Sequence, residues 1–485
     1  MRNRNTGLCL RALALLSIAL LVKLAPQAAG QDYAPQYSAA ANLSQLRFEQ
    51  TYYAQIHNTY AHSNHLTNWL DAGYRTVELD VLDTSGWDTN PNGPYVAHGP
   101  EAEVHNCSGQ RLGNCLRDLA GWVDRNGSNV PIVVLIDMKT SVTQPIAWLP
   151  STISNLDEWV SSFLGSRMYR YSDLAQSVGS DGSDMRARVK AQGWPLNSSL
   201  QGRFIIGLTG GQYGHVNQVM RTSMDNLKGD ANTFMCPDVD AGDPDEISGT
   251  IDGMDEASSR RFVCANIHAG DHMETSLNRS SDGNQLIHIW GASGDFKNTD
   301  YAYNYIAVAH GGSLIGWDSS ISKTDSSTWV PDFQESLPLV GARRGVPGYF
   351  EMINHASKQC VDIDRRDYSN GTMVRDWSCN GGDNQKFVYT AEGQLRPKGD
   401  NKYCVDIEGG GTTEIRNVHL WDCDGGTSEK WRINPRGNFE TLNMKLNLDL
   451  WHWNANEKYV THPNNHGANQ VFTLRKAADW LPSNY

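Results

Sequence analysis

The chain has 485 residues, 41 Lys and Arg against 54 Asp and Glu, and a formal net charge of −13. That balance excludes a nucleic-acid partner, whose binding rests on clustered basic side chains that neutralise phosphates. It also opposes direct attraction to strongly anionic membranes, so that any lipid ligand would have to be reached by other means.

In chain order, Arg2, Arg4 and Arg11 precede the apolar run "ALALLSIALLV", and "QAAG" follows with small residues. This pattern predicts a secretory signal peptide over residues 1–30, cleaved after Gly30. Its apolar core is too short to span a bilayer comfortably. No second long apolar run follows, so the mature protein is expected to be secreted and extracellular, with no transmembrane segment. Residues 1–30 hold Arg2, Arg4, Arg11 and Lys23 and no acidic residue, so their removal takes the net charge from −13 to −17.

From 31 to 340, β-rich apolar runs alternate with helix-like segments. The runs are "YYAQIH", "TVELDV", "PIVVLIDM", "RFIIGLT", "RFVCANI", "LIHIW" and "SLIGWD"; "LGNCLRDLAGWVDRN" and "NLDEWVSSFLGSRM" carry apolar residues at helical spacing. Near-continuous apolar strands alternating with helices predict a parallel sheet covered on both faces. The number of units fits an α/β fold of the closed (βα) barrel, TIM-like type, better than the alternative, an open doubly wound sheet, for which no glycine-rich phosphate loop follows the first strand.

In such a barrel the strand C-termini converge on one mouth, so polar residues that end apolar strands share a pocket. His57 and Asn58 end the first run, Glu78 and Asp80 the second, and Asp137 and Lys139 end "PIVVLIDMK"; His98 follows the short run "PYVAHG". Asn58, Glu78, Asp80 and Asp137 are oxygen donors of the kind that hard cations take. His57 and His98 titrate near neutrality and suit an acid/base pair. A metal, two histidines and a lysine together suit attack on a phosphodiester. A zinc cluster of His57, His62 and His65 is a weaker alternative, and His268 and His272 read as loop or supporting residues.

Residues 341–348, within "LPLVGARRGVPG", read as a linker. Beyond it, 349–485 has short strands and three related copies about forty residues apart, which predicts a smaller all-β domain with threefold repetition. The copies begin "CVDIDRRDYSNG", "CVDIEGGGTTEI" and "LNLDLWHWNANE". Cys9 leaves with the signal, and the remaining eight cysteines of an exported chain predict disulfides. Equal spacing within two homologous copies pairs Cys360 with Cys379 and Cys404 with Cys423, and sequence neighbours Cys107–Cys115 and Cys236–Cys264 complete the set. Sequons stand at Asn42, Asn106, Asn126, Asn197, Asn278 and Asn370.

Taken together, "HNTY", "GYRTVELDV", "VAHG", "NCLRDLAGWVDRNGSNVPIVVLIDMKT" and "GWPLNSSLQGRFIIGLTGG" resemble the calcium-dependent phosphoinositide phospholipase C-like phosphodiesterases, a TIM-barrel group, over about 50–320. The resemblance implies a phosphoric diester hydrolase acting on a phospholipid. It implies His57 and His98 as catalytic histidines, Asn58, Glu78, Asp80 and Asp137 around Ca2+ (or Mg2+), and Glu78 as a candidate base. Asp137 stands where that family often has Glu. The "DMK" of 137–139 also resembles magnesium-dependent sphingomyelinase D-type phospholipases, the alternative enzyme. The repeats resemble ricin-type β-trefoil lectins over about 349–475, which implies binding to cell-surface or cell-wall glycans. Carried over, the first repeat offers Asp362, Trp377, Asn384 and Gln385. The third offers Asp449, His462, Asn469 and Gln470. The second keeps Asp406 and Trp421 but has Ser428 and Glu429 in place of Asn-Gln. The alternative from another class is a lectin with a catalytically silent barrel.

Overall fold

A computed structural model describes residues 40–61, 65–97, 106–139, 148–210, 215–240, 243–269, 273–290, 306–317, 339–344, 348–433 and 437–477. The expected signal peptide, His62, His98 and His272 lie outside the described residues.

The N-terminal region is mixed α/β. Its strands are β1 (Thr51–Ile56), β2 (Thr76–Leu82), β3 (Tyr95–Val96), β4 (Ile132–Lys139), β5 (Phe204–Thr209), β6 (Phe234–Met235), β7 (Cys264–His268), β8 (Leu286–Trp290), β9 (Leu314–Trp317) and β10 (Val340–Ala342). They form two five-stranded sheets, ordered β10-β1-β9-β8-β7 and β3-β2-β4-β5-β6. Pairing is parallel except at β3 and β10, which join antiparallel at the edges. β1, β2 and β5 are buried at every residue, which explains why their sequences run apolar without alternation. The helix Leu112–Asn126 matches its predicted span and ends at Gly127, whose φ of 69° suits glycine. The helix Pro150–Leu164 starts five residues before the predicted one, because Pro150 fits the first helical position.

Two sequence expectations differ from the structure, and the two-residue strand β6 is too short to leave a sequence pattern. β3 runs antiparallel to β2, so the stretch leading to His98 is a returning edge rather than another barrel-type strand; Ala97 N donates to the Asp80 carbonyl at 3.0 Å. The expected linker begins inside β10, where Gly341 and Ala342 pair with Tyr52 and Thr51. Its next residue, Arg343, is buried and donates to the carbonyls of Gln285 (2.7 Å) and Glu49 (3.2 Å). Proline, glycine and arginine gave that stretch a linker's composition, but the open edge of β1 supplies backbone partners for it.

The C-terminal region is all-β. Among the described residues it has twelve strands, β11 (Phe350–Asn354), β12 (Cys360–Ile363), β13 (Val374–Trp377), β14 (Lys386–Tyr389), β15 (Leu395–Pro397), β16 (Tyr403–Ile407), β17 (Val418–Asp422), β18 (Trp431–Ile433), β19 (Phe439–Thr441), β20 (Asn447–Leu450), β21 (Tyr459–His462) and β22 (Phe472–Lys476). Four strands fall to each sequence repeat, and β11 pairs with β22, so the first and last strands close the module on itself.

All four expected disulfides are present: Cys107–Cys115, Cys236–Cys264, Cys360–Cys379 and Cys404–Cys423. Removing the Cys404–Cys423 bridge is expected to cost about 2–5 kcal/mol of trefoil stability, measured by denaturant titration of the full chain; an unchanged midpoint would count against its structural role. Two sequons are closed off, since Asn106 and Asn197 are buried and spend their amides inside the fold, on the Thr59 carbonyl and on Leu43 and Thr51.

Candidate active site and glycan sites

Glu78 and Asp80 are two residues apart on β2 and therefore face the same side. Parallel pairing of β2 with β4 sets Asp137 opposite Asp80, and Lys139 follows Asp137 on that face. One oxygen from each of Glu78, Asp80 and Asp137 lies within 4.8 Å of the others. All three are buried, at 1%, 0% and 7% exposure. Lys139 Nζ sits 2.7 Å from Asp137 and 3.7 Å from Asp80. Tyr60 donates its hydroxyl to Asp80 at 3.1 Å.

The turn after β1 delivers His57 and Asn58 to the same place. Asn58 takes a left-handed φ of 51°, which asparagine tolerates. Its backbone N donates to Glu78 Oε2 at 3.2 Å. Thr59 fixes the turn by donating to the Ile56 carbonyl (2.6 Å) and accepting from Glu78 N (3.0 Å).

Burial pushes Glu78 up to about 7, with Asp80 and Asp137 adding to the rise and His57 and Lys139 opposing it. Burial also raises Asp137. Burial works against a charged Lys139, yet Asp137 and Asp80 outweigh it and hold the ammonium above its ordinary range. Asn58 Oδ1 and Asp137 Oδ1 are shielded from solvent with no hydrogen-bond partner among the described residues. Clustered carboxylates and orphaned oxygens are the donor set of a hard cation, so Asn58, Glu78, Asp80 and Asp137 fit Ca2+.

A chain of polar side chains behind Glu78 escaped the sequence reading. Asn266 Nδ2 donates to Asp238 at 2.6 Å, which turns Asn266 Oδ1 toward His288 Nδ1 at 2.7 Å. His288 therefore carries its proton on Nδ1 and accepts at Nε2 from Gln55, 2.7 Å away. Gln55 Nε2 also reaches Glu78 Oε2 at 3.3 Å. Burial, then the charges of His57 and Lys139, push His288 down to about 3, so it stays neutral. Polar residues inside apolar strands were the available signal.

Among the described residues, two of the other histidines singled out in the sequence, His65 and His268, are engaged elsewhere. His65 caps the helix Leu66–Asp71, accepting from Thr67 N at 3.3 Å. His268 packs edge-on against Trp290 with ring centroids 4.5 Å apart.

In the trefoil, Asn384 and Gln385 both donate to Asp362 Oδ2, at 2.7 and 2.8 Å. Asn469 and Gln470 repeat this on Asp449 Oδ2, at 2.8 and 2.7 Å, where Asn465 adds a third bond. Trp377 is exposed beside the first of these and His462 stands near the second. The second repeat differs: Ser428 donates to Asp406 Oδ2 at 2.7 Å and His419 lies 3.3 Å from Oδ1, so both oxygens are engaged from within. Glu429 accepts from Asp424 N at 3.0 Å, taking the place of a glutamine.

Burial raises Asp362 to about 6, against the hydrogen bonds from Gln385 and Asn384. A carboxyl with a raised folded pKa loses stability as pH climbs from its unfolded value to its folded one, here from about 4 to about 6. Asp362→Asn is therefore expected to stabilise the trefoil by on the order of 2 kcal/mol at pH 7 and by almost nothing at pH 4. Denaturant titrations at both pH values check this; a loss of stability at pH 7 would contradict it.

Two family models match. Residues 88–246 match phosphoinositide phospholipase C, Ca2+-dependent, and residues 348–472 match the ricin-type β-trefoil lectin domain. The first stretch is thus homologous to phosphodiester hydrolases; it contains Asp137 and Lys139 and begins after Asp80. Among curated proteins, none matches the chain. Three solved structures are similar to parts of it. The calcium-dependent phosphoinositol-specific phospholipase C of Pseudomonas sp., as a myoinositol complex, is 22% identical over 58% of this chain and 94% of its own, with a TM-score of 0.47. The Ca2+-dependent phosphatidylinositol-specific phospholipase C of Streptomyces antibioticus is 18% identical over 62% and 99%, with a TM-score of 0.46. The C-half of the earthworm R-type lectin, in complex with GalNAc, is 17% identical over 27% and 98%, with a TM-score of 0.23.

Proposed function

We propose that this chain is a secreted, calcium-dependent phospholipase C-type phosphodiesterase that its trefoil holds at glycan-bearing surfaces. The observation that carries the reading is the buried cluster of Glu78, Asp80 and Asp137 with Lys139 and the Asn58 turn. The N-terminal sheets are proposed as halves of one closed (βα) barrel. Support comes from a parallel bridge between Asp238 and Asn266, which joins the segment after β6 to β7, and from the bonds of Asn58 and Thr59 to Glu78 at the opposite seam. Secretion is supported by the N-terminal apolar segment and four disulfides; no helix of the described residues is long and apolar enough to cross a membrane.

Asn58, Glu78, Asp80 and Asp137 would hold the cation. Bound there, it supplies neutralising charge for the phosphate and lowers the pKa of the attacking hydroxyl. Lys139 pairs with a phosphate oxygen. Glu78 or one histidine takes the proton of the attacking hydroxyl, and the other histidine of the His57–His98 pair protonates the departing oxygen. Gln55 and His288 keep Glu78 in place. The trefoil raises local concentration at a glycan-coated membrane, which offsets the repulsion between an acidic protein and an anionic lipid surface.

Assays on phosphatidylinositol, sphingomyelin and a soluble glycerophosphodiester, each with Ca2+ or Mg2+, test this. Cleavage of phosphatidylinositol with Ca2+ is expected. Choline release from sphingomyelin with Mg2+ would move the chain to the sphingomyelinase D-type alternative. Glycan binding without hydrolysis under any condition would leave a lectin with a silent barrel.

A further inference from the structure

Each of β12, β16 and β20 runs into a three-residue turn: Asp364–Arg366, Glu408–Gly410 and Trp451–Trp453. In all three the last two residues are left-handed, with φ of 55° and 58°, 70° and 72°, and 55° and 60°. Only the second repeat uses glycine there. The other two place Arg365-Arg366 and His452-Trp453 in a conformation that costs roughly 1–2 kcal/mol per non-glycine residue. Strain kept at matching places in two repeats points to a use for those side chains.

In the first and third repeats the last side chain of the turn comes up against a glycine that each repeat also shares. A Cβ built on Gly382 would lie 2.5 Å from Asn384 Oδ1, 2.8 Å from Asn380 Oδ1 and 3.2 Å from Arg366 Nη2. On Gly467 it would lie 2.5 Å from Asn469 Oδ1 and 2.5 Å from the Trp453 ring. On Gly426 the three nearest atoms belong to Asp424 and Ser428, and Gly410 has no side chain to extend toward it. The same gap is thus walled by a guanidinium in the first repeat, by an indole in the third and by neither in the second. Asn384 Oδ1 and Asn469 Oδ1 are buried beside those gaps with no hydrogen-bond partner among the described residues.

Charge separates the two gaps. The first opens onto a cleft of about 500 Å³ that also holds Trp377. There Asp364 pairs with Arg375 at 2.9 Å and with Arg365 at 3.8 Å, whereas Arg366 has no carboxylate partner among the described residues. At the third, the turn is Trp-His-Trp with no acidic or strongly basic side chain, and Trp453 is 53% exposed.

We propose that the last residue of each turn sets what its site accepts: the first site takes an acidic glycan, bearing a carboxylate, sulfate or phosphate, on Arg366, and the third takes an uncharged sugar on the Trp453 ring. A guanidinium forks onto such anions with charge-assisted hydrogen bonds, while the CH face of a neutral sugar packs on an indole. Asn384 Oδ1 and Asn469 Oδ1 accept from a sugar hydroxyl in both cases. The inference rests on the glycan-binding reading above.

The test is an array of common hexoses and N-acetylhexosamines, each printed as the neutral sugar, its uronic acid, its 6-sulfate and its 6-phosphate. It is probed with the full chain carrying Asp449→Ala, so that the first site is read alone. At least one charged member should outbind its neutral parent by about tenfold or more, as hydrogen bonds to charged groups do, and the ratio should fall with added salt. Arg366→Gly copies the second repeat and suits the left-handed backbone, so it keeps the fold; it should bring the ratio to about one. In the converse background, Asp362→Ala, adding Trp453→Gly should abolish neutral-sugar binding. Equal binding of charged and neutral members at the first site, a preference that survives Arg366→Gly, or neutral-sugar binding that survives Trp453→Gly overturns the proposal. Binding of no sugar by the unmodified chain overturns the glycan-binding reading itself.

Discussion

His57→Ala is expected to lower the rate of phosphodiester cleavage at least about a hundredfold, the usual contribution of one acid/base group, and to leave the fold intact. His57 follows β1 at the edge of the carboxylate cluster, and its charge is among those that oppose the rise in Glu78's pKa. Its removal takes away a proton carrier without opening a cavity in the buried strands on either side. The loss should fall on kcat more than on KM, because proton transfer matters in the transition state rather than in binding. If the substrate is a phosphoinositide, the neighbouring ring hydroxyl attacks first, so a cyclic inositol phosphate precedes any linear product in a time course followed by phosphorus NMR. Full activity of a folded His57→Ala protein, or cleavage that persists in chelator, would show that another site does the chemistry.

The cluster itself was legible in the sequence, because a two-residue spacing puts Glu78 and Asp80 on one face whatever the tertiary fold. That Asp137 stands opposite Asp80 was only implied, since register between strands fifty residues apart comes from packing rather than from local pattern. Gln55, Asn266 and His288 went unread for a related reason. Each is one polar residue inside an apolar run, and only the folded arrangement of β1, β7 and β8 joins them into a line ending at Glu78. In the trefoil the aspartate and amide positions could be carried over by motif. Arg366 and Trp453 could not, because their reach depends on a left-handed turn that the residue types there do not announce. His462 stands across from Asn447 as Trp377 does from Cys360, while the Trp453 ring approaches Gly467 from the turn, a position no motif singled out.

Lys139→Met should make the stability of the α/β region depend strongly on calcium. The ammonium lies 2.7 Å from Asp137 and 3.7 Å from Asp80, and the three carboxylates it faces are buried. Methionine keeps the length and the apolar stem but removes the charge. Without metal, breaking a buried pair by taking one partner away costs about 3–5 kcal/mol, because the carboxylates left behind repel one another and have lost their solvation. Glu78 and Asp137, already raised above the unfolded chain by burial, are pushed up further, so the loss is full at neutral pH and fades as pH falls toward 4 and these carboxyls protonate. Added Ca2+ binds the folded state and restores what the ammonium supplied. Thermal melts in chelator and in millimolar Ca2+ should therefore differ more widely for Lys139→Met than for the unmodified chain. The variant should also bind Ca2+ more tightly by titration calorimetry, since Lys139 no longer competes for Asp137. A Lys139→Met protein that melts like the unmodified chain in chelator at pH 7 would mean that the carboxylates are already neutral, and the cation site described here would lose its physical basis.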